Sequence, residues 1–191
     1  MKTWRLVCLM AVLAPGVAWA AEGDLPYRTS GFYLGLGAGY SDLELKAQPV
    51  NVSGGDFGYK AFAGYRFPRA FLPWGINIAL EAAWADLGEV TDDAPGARLA
   101  LAVDGFVGSI VGYVPITHRF ELFGKAGAYV WDAELAANGV TQDKDDGTDL
   151  ALGVGIGYHT GGGLGFQAEL EGYDLLDGAL LASVSVTYQF K

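Results

Sequence analysis

The sequence predicts an all-β protein, an eight-stranded antiparallel up-and-down β-barrel that spans a membrane. Three observations predict this fold: an export signal at the N-terminus, two-faced segments of about ten residues that recur from Gly31 onward, and aromatic side chains at the segment ends. Segments of this length and alternation are typical of strands that face lipid on one side and a barrel interior on the other.

The N-terminus has the three regions of a secretory signal peptide. Lys2 and Arg5 supply positive charge, residues 6–17 are almost all apolar, and an Ala-Trp-Ala sequence ends at Ala20. An apolar stretch this short does not span about 30 Å of hydrocarbon as a helix. We therefore expect residues 1–20 to be a signal peptide, residues 21–30 to be a short periplasmic segment, and residues 31–191 to form the barrel.

Composition excludes several classes of protein. The formal net charge of −10 becomes −12 once Lys2 and Arg5 are removed with the signal, whereas nucleic-acid binding needs a basic surface. No later apolar run approaches about 18 residues, so a helical membrane protein is excluded. The single cysteine, Cys8, lies within the signal, and the mature chain therefore has no disulfide or cysteine metal site.

Alternation is clearest in the last segment, where one column of residues is apolar and the other is nearly all polar. The apolar column is Leu180, Ala182, Val184, Val186, Tyr188 and Phe190. Six other lipid-facing columns begin at Phe32, Tyr59, Ile76, Leu122, Leu150 and Phe166. The fourth segment, 98–113, admits two registers, and we prefer the one that turns Asp104 inward and Ser109 toward lipid.

The connections set the topology. Eight strands close a barrel, which leaves no strand edge exposed to lipid. We expect long connections at 42–56 and 132–148 to face the cell exterior and short turns at 115–119 and 160–163 to face the periplasm, although the link at 174–177 is shorter than this pattern predicts. Both termini are then periplasmic.

Aromatic residues fall where a membrane barrel carries its interfacial girdles. The predicted outer girdle is Tyr40, Tyr59 and Trp84. The predicted inner girdle is Tyr65, Phe67, Trp74, Tyr113, Phe120, Tyr158, Phe166 and Phe190.

Four stretches carry a resemblance to a known family. They are GYVPITHRFELFGKAGAYVW from Gly112, GFYLGLGAGYS from Gly31, FAGYRF from Phe62, and the terminal SVSVTYQF. The mature chain resembles the membrane domain of outer membrane protein A and the wider family of small eight-stranded outer-membrane barrels. The peptidoglycan-binding domain that follows the barrel in outer membrane protein A is not expected here.

The resemblance implies a site and an assembly route. By likeness to the family, Glu81, Lys125, and Glu169 or Glu171 are lumen charges that pair across the barrel and block or gate a narrow passage. An eight-stranded barrel has room only for side chains, and buried charges need partners. The predicted lumen charge network is Lys60, Arg66, Glu81, Lys125, Glu169 and Glu171. For Arg66 and Glu171, near strand ends, simple solvation is the alternative. Tyr188 and Phe190 match the signal read by the outer-membrane assembly machinery, although Lys191 follows them.

No pattern points to a cofactor, a metal site or catalytic residues. The alternating glycines from Gly35 and from Gly153 lack the G-x-G-x-x-G spacing and the helix of a phosphate site. The aspartates near Gly147 miss calcium-loop spacing and indicate a solvated acidic loop that divalent cations could bridge to lipopolysaccharide. Both histidines, His118 and His159, lie in or beside predicted periplasmic turns.

The leading hypothesis is a non-enzymatic outer-membrane barrel that supports envelope integrity, or that meets molecules at the cell surface through acidic loops. A narrow gated channel is the first alternative. A lipid A-modifying enzyme and an adhesin are the others. The expected partners are outer-membrane lipids, lipopolysaccharide and the assembly machinery.

Overall fold

The computed structural model describes residues 29–47, 50–68, 76–94, 97–137, 140–174 and 178–190. Within these ranges the chain forms eight strands: β1 (Gly31–Ala47), β2 (Val50–Arg66), β3 (Asn77–Ala94), β4 (Ala97–Pro115), β5 (Phe120–Ala137), β6 (Val140–His159), β7 (Leu164–Tyr173) and β8 (Ala179–Gln189). Each strand pairs antiparallel with the next, and β1 pairs with β8, which closes the barrel. The predicted fold class is confirmed. The signal peptide, Trp74 and Lys191 lie outside the described residues.

The two ends of the barrel differ. The terminal end carries the start of β1, the end of β8, and the short turns at 116–119 and 160–163. The hairpin end carries the four connections β1–β2, β3–β4, β5–β6 and β7–β8. The predicted short turns are therefore at the same end as the start of β1 and the end of β8.

Side chains alternate between the two faces of the barrel wall, apart from register shifts near Asp86 and Leu135. β8 shows an unbroken alternation of buried and exposed residues, and β7 follows the same pattern. Leu36, Phe106 and Val184 are each exposed by about two thirds of their surface on the outside. Large apolar side chains pointing outward on every side require an apolar surrounding medium, as the alternating sequence predicted.

The prediction of long loops at 42–56 and 132–148 is wrong. The ladder continues through them, with Ala47 opposite Val50 and Ala137 opposite Val140. Backbone hydrogen bonds extend these hairpins beyond the apolar belt, where no lipid requires an alternating apolar face. The sequence pattern therefore marked only the part of each strand within the membrane.

The preferred register of β4 is also wrong. Asp104 points outward, Ser109 is buried in the lumen, and Tyr113 is buried there as well rather than in the inner girdle. Asp104 lies at the hairpin end, where the outside of the barrel meets water rather than hydrocarbon. Its carboxylate accepts a hydrogen bond from the Trp84 indole at 3.2 Å.

Candidate functional site

A central charge cluster lies inside the barrel. Lys125 Nζ is 2.6 Å from Glu171 Oε1, 2.7 Å from Glu169 Oε1 and 3.3 Å from Glu81 Oε1. Lys60 Nζ is 2.5 Å from Glu171 Oε2 and also contacts Glu169. These five side chains are at most about 6% exposed. Two ammonium groups thus bridge three carboxylates in the middle of the lumen.

Glycine and serine residues on the intervening strands leave room for these charged side chains to meet. Lys125 on β5 reaches β7 across Gly153 of β6, where a Cβ would lie 2.9 Å from both Lys125 Cε and Glu169 Oε1. Lys60 on β2 reaches β7 across β1 and β8, past Gly37, its direct partner on β1, and Ser185. The glycine-rich inward faces are therefore a packing requirement of the charge cluster.

A second cluster lies at the terminal end. Arg66 on β2 donates two hydrogen bonds to the Glu121 carboxylate on β5, at 3.0 and 2.8 Å. His159 Nε2 is 2.8 Å from Glu121 Oε1, and the Arg66 guanidinium lies 3.7 Å from the centre of the Tyr113 ring. Paired, hydrogen-bonded geometry of this kind is what burial of an arginine and a glutamate requires.

Two tyrosines connect the clusters. Tyr33 donates its hydroxyl hydrogen to Glu81 Oε2 at 2.8 Å, and Tyr113 donates to the Tyr33 hydroxyl at 3.3 Å. Because Arg66 stacks on Tyr113, one chain of polar contacts runs from Lys60 to His159. We call this chain the lumen network.

The structure places all six sequence-predicted charges inside the lumen. Arg66 and Glu171 are buried and paired rather than solvated. Sequence reasoning missed four members of the network: Glu121, His159, Tyr33 and Tyr113. Alternation already turned Glu121 inward, but its partner Arg66 is three strands away around the barrel wall, so no local spacing joins them.

Toward the hairpin end, aliphatic and aromatic side chains replace the charged side chains in the lumen. Leu87, Leu181 and Tyr129 are fully buried there, beside Tyr173 and Trp131. The rings of Tyr129 and Tyr173 pack with their centres 4.8 Å apart. We call these five side chains the apolar plug. It lies between the central cluster and the solvent at the hairpin end.

The inner face of β8 is polar from its middle to the terminal end. β8 turns Ser183, Ser185, Thr187 and Gln189 inward, and each is at most 8% exposed. The hydroxyls of Ser183 and Ser185 have no protein hydrogen-bond partner. Since buried polar groups normally have partners, these two positions are suited to ordered water.

A row of aspartates crosses the outside of the barrel at the hairpin end. Asp86, Asp104, Asp132 and Asp146 are direct cross-strand partners on β3, β4, β5 and β6. Directly paired residues have Cβ atoms about 5 Å apart, and like charges so placed repel each other. We call these four residues the aspartate row. No spacing in the sequence reveals it, because only the register of three strand pairs brings it together.

A neighbouring hairpin contact is also electrostatic. The Asp56 carboxylate accepts a hydrogen bond from the backbone N–H of Glu89 at 3.0 Å. This bond, with another from the backbone of Phe57, holds the pKa of Asp56 below its ordinary value. The contact therefore stabilises the hairpin end near neutral pH and is lost when acid protonates Asp56.

The charged side chains of the lumen network are held by one another in ion pairs and hydrogen bonds. Within the described ranges, no three acidic, histidine or cysteine side chains converge as ligands of a metal ion. His118 is exposed on the turn at 116–119, and His159 is held by Glu121 inside the lumen. Among the described residues, no helix is long and apolar enough to cross a membrane.

A closed antiparallel barrel with an apolar exterior and a polar, side-chain-filled interior defines the class of transmembrane β-barrels. Residues 6–190 match the outer membrane protein β-barrel domain family. The chain belongs to that family and is a protein of the outer membrane. No curated protein matches its sequence.

Solved structures show the same fold at low sequence identity. Neisserial surface protein A matches with a TM-score of 0.58 and 16% identity, covering 84% of this chain and 98% of that one. Ail of Yersinia pestis, in complex with the heparin analogue sucrose octasulfate, matches with a TM-score of 0.51 and 14% identity, covering 84% and 99%. The N-terminal β-barrel domain of Pseudomonas aeruginosa OprF gives 0.51 and 15%, also covering 84% and 99%.

Proposed function

We propose that this chain is a non-enzymatic structural protein of the outer membrane, with the hairpin end at the cell surface and both termini in the periplasm. The observation that carries the proposal is the filled lumen. The lumen network occupies the middle and the terminal end, and the apolar plug lies beyond it. A lumen packed in this way favours a rigid wall that keeps the envelope intact.

The aspartate row supports a role at the outer surface. Lipopolysaccharide carries negative charge at its phosphates. The four neighbouring carboxylates of the row would repel these phosphates unless divalent cations bridged the two. Lys144, an exposed cation at the same end, is already paired with Glu134. We infer that the row takes part in the divalent-cation layer that links neighbouring lipopolysaccharide molecules.

Deleting the gene should raise the sensitivity of cells to dodecyl sulfate and to large antibiotics, most strongly at low magnesium. Wild-type protein should restore resistance. Asp104→Asn/Asp132→Asn should restore it only in part, because two central carboxylates of the row are lost. The measurement is the minimal inhibitory concentration of each agent over a magnesium series.

A matched control is Asp174→Asn, which removes an exposed acid at the same end but outside the row. This variant should complement fully, at equal surface abundance. An unchanged sensitivity in the deletion strain would contradict the integrity role. Full complementation by the double variant would contradict the part assigned to the row.

A narrow channel is the second candidate, and the polar inner face of β8 is the observation that favours it. The apolar plug opposes it. Wild-type protein in planar bilayers should show no conductance, and Glu81→Ala, which frees Lys125 from one partner, should show none while the plug is intact. Stable single-channel steps in wild-type protein would replace the structural role with a channel.

Three further expectations concern assembly, binding of polyanions and lipid A chemistry. Tyr188 and Phe190 are exposed on the outside at the end of β8, as the proposed signal for the assembly machinery requires. The aspartate row argues against the binding of a polyanion such as the heparin analogue in the Ail complex, because carboxylates repel sulfates. Both histidines lie at the terminal end or inside the lumen, which argues against lipid A chemistry at the cell surface.

A further inference from the structure

An apolar groove of about 580 Å³ runs along the outside of the barrel near the terminal end. Its floor is formed by the small side chains of Ala168 and Ala38, which lie on either side of Val184 in one cross-strand row. The next row toward the terminal end places Phe120, Tyr158 and Phe166 side by side. Small residues bordered by an aromatic wall form an apolar groove that can take a hydrocarbon chain.

A cation lies at the aromatic edge of this groove. Arg119 is exposed, and its Nη1 donates a hydrogen bond to the Tyr158 hydroxyl at 3.2 Å. Tyr158 itself lines the groove, and its ring packs on Phe120 with centres 5.0 Å apart. The guanidinium is thus tied to the groove through a side chain that forms part of its wall.

The turn that carries Arg119 is fixed by hydrogen bonds. Thr117 Oγ1 accepts from the backbone N–H groups of Arg119 and Phe120, at 3.3 and 3.0 Å. The Arg119 carbonyl accepts from the backbone N–H of His159 at 2.8 Å. The backbone position of Arg119 is therefore fixed by the turn.

No carboxylate within the described ranges neutralises the charge of Arg119. Lys60, Arg66, Lys125 and Lys144 each contact a carboxylate. Arg119 has no carboxylate partner among the described residues, and its only side-chain hydrogen bond goes to the neutral Tyr158 hydroxyl. An exposed guanidinium at the level of an aromatic girdle is suited to a phosphate, which it can bind through two parallel hydrogen bonds.

We propose that this groove is a phospholipid-binding site. One acyl chain lies over Ala168 and Ala38, and the phosphodiester accepts hydrogen bonds from Arg119 and Tyr158. The ligand class is a diacyl glycerophospholipid of the leaflet at the terminal end, which is the periplasmic leaflet in the orientation proposed above. The site itself depends only on the barrel lying in a membrane.

The test is lipid binding by the full-length mature barrel in detergent, measured by native mass spectrometry with added phosphatidylglycerol. Wild-type protein should retain one lipid more strongly than any further lipids. Arg119→Gln should weaken that first binding step about ten-fold, the effect of losing one charged hydrogen-bonding group. Ala168→Leu, which fills the groove floor, should weaken it as well. Diacylglycerol, which lacks the phosphate, should not compete.

Matched controls separate a site from general adhesion of lipid. Lys144→Gln removes an exposed cation at the opposite end, and Ala128→Leu enlarges an outward alanine on β5 outside the groove. Both should bind as wild type does, and heat-modifiable gel mobility should show that every variant is folded. Equal binding by wild type and Arg119→Gln, or equal competition by diacylglycerol, would overturn the proposal. If deletion of the gene leaves drug sensitivity unchanged, the envelope role is contradicted but the lipid site is not. If the purified barrel fails to bind the lipid, the lipid site is contradicted but the envelope role is not.

Discussion

Lys125→Met is expected to lower the free energy of unfolding by about 3–5 kcal/mol, the usual cost of removing one partner of a buried ion pair. The substitution keeps an unbranched side chain of similar volume but removes the ammonium group that pairs with Glu81, Glu169 and Glu171. Glu169 and Glu171 then share the Lys60 ammonium, while Glu81, within the described ranges, keeps only the hydrogen bond from the Tyr33 hydroxyl. Urea titration of protein folded into phosphatidylcholine vesicles, followed by tryptophan fluorescence, measures the loss.

The chain offers a matched lysine for comparison. Lys144 also contacts a carboxylate, that of Glu134, but its side chain is 69% exposed. Lys144→Met should change the unfolding free energy by no more than about 0.5 kcal/mol, as for other exposed ion pairs. Adding Glu171→Gln to Lys125→Met should recover part of the loss, because one unpaired charge is removed. Equal effects of the two lysine substitutions would show that the lumen network does not stabilise the barrel.

Gly155→Ala should destabilise the barrel by about 3 kcal/mol, at the upper end of the usual cost of overpacking. A Cβ at this inward position of β6 would lie 2.3 Å from Phe123 Cζ and 2.5 Å from the backbone oxygen of Ala168. The Phe123 ring can move, but the β7 backbone cannot without breaking the ladder. Vesicle-based urea titration again gives the change.

Gly108→Ala is the control for this substitution. Gly108 points outward on β4, and a Cβ there meets no atom within 4 Å. Alanine should be neutral or should stabilise the strand by up to about 1 kcal/mol, because glycine is unfavourable inside a strand. A loss at Gly108 as large as at Gly155 would contradict the claim that inward crowding selects glycine.

The lumen network and the apolar plug assign different tasks to the two halves of the interior. The network joins strands that are not neighbours, such as β2 with β5 and β7, so it braces the barrel across its width. The plug fills the hairpin end with apolar volume. Together they explain how a barrel with many small inward residues on β1 and β6 keeps a packed interior.

The candidate site could be predicted in part from the sequence. Alternation identified which charges point inward, because the outer face of a membrane-spanning strand contacts lipid and does not carry charged side chains. The partners could not be predicted, since Arg66 and Glu121 are on strands with no shared ladder. The places of Tyr33 and Tyr113 in the network depend on distances between strands that the sequence does not contain. The predicted register of β4 is wrong because Asp104 lies beyond the apolar belt.

The sequence alone determined the class of fold, the two faces of most strands and their closure into a barrel, because contact with lipid imposes a period of two on every membrane-spanning strand. The tertiary structure alone decided which residues meet. The aspartate row, the lumen network and the Arg119 groove each depend on the relative register of several strands. That register is set by backbone pairing around the whole barrel, and no single segment contains it.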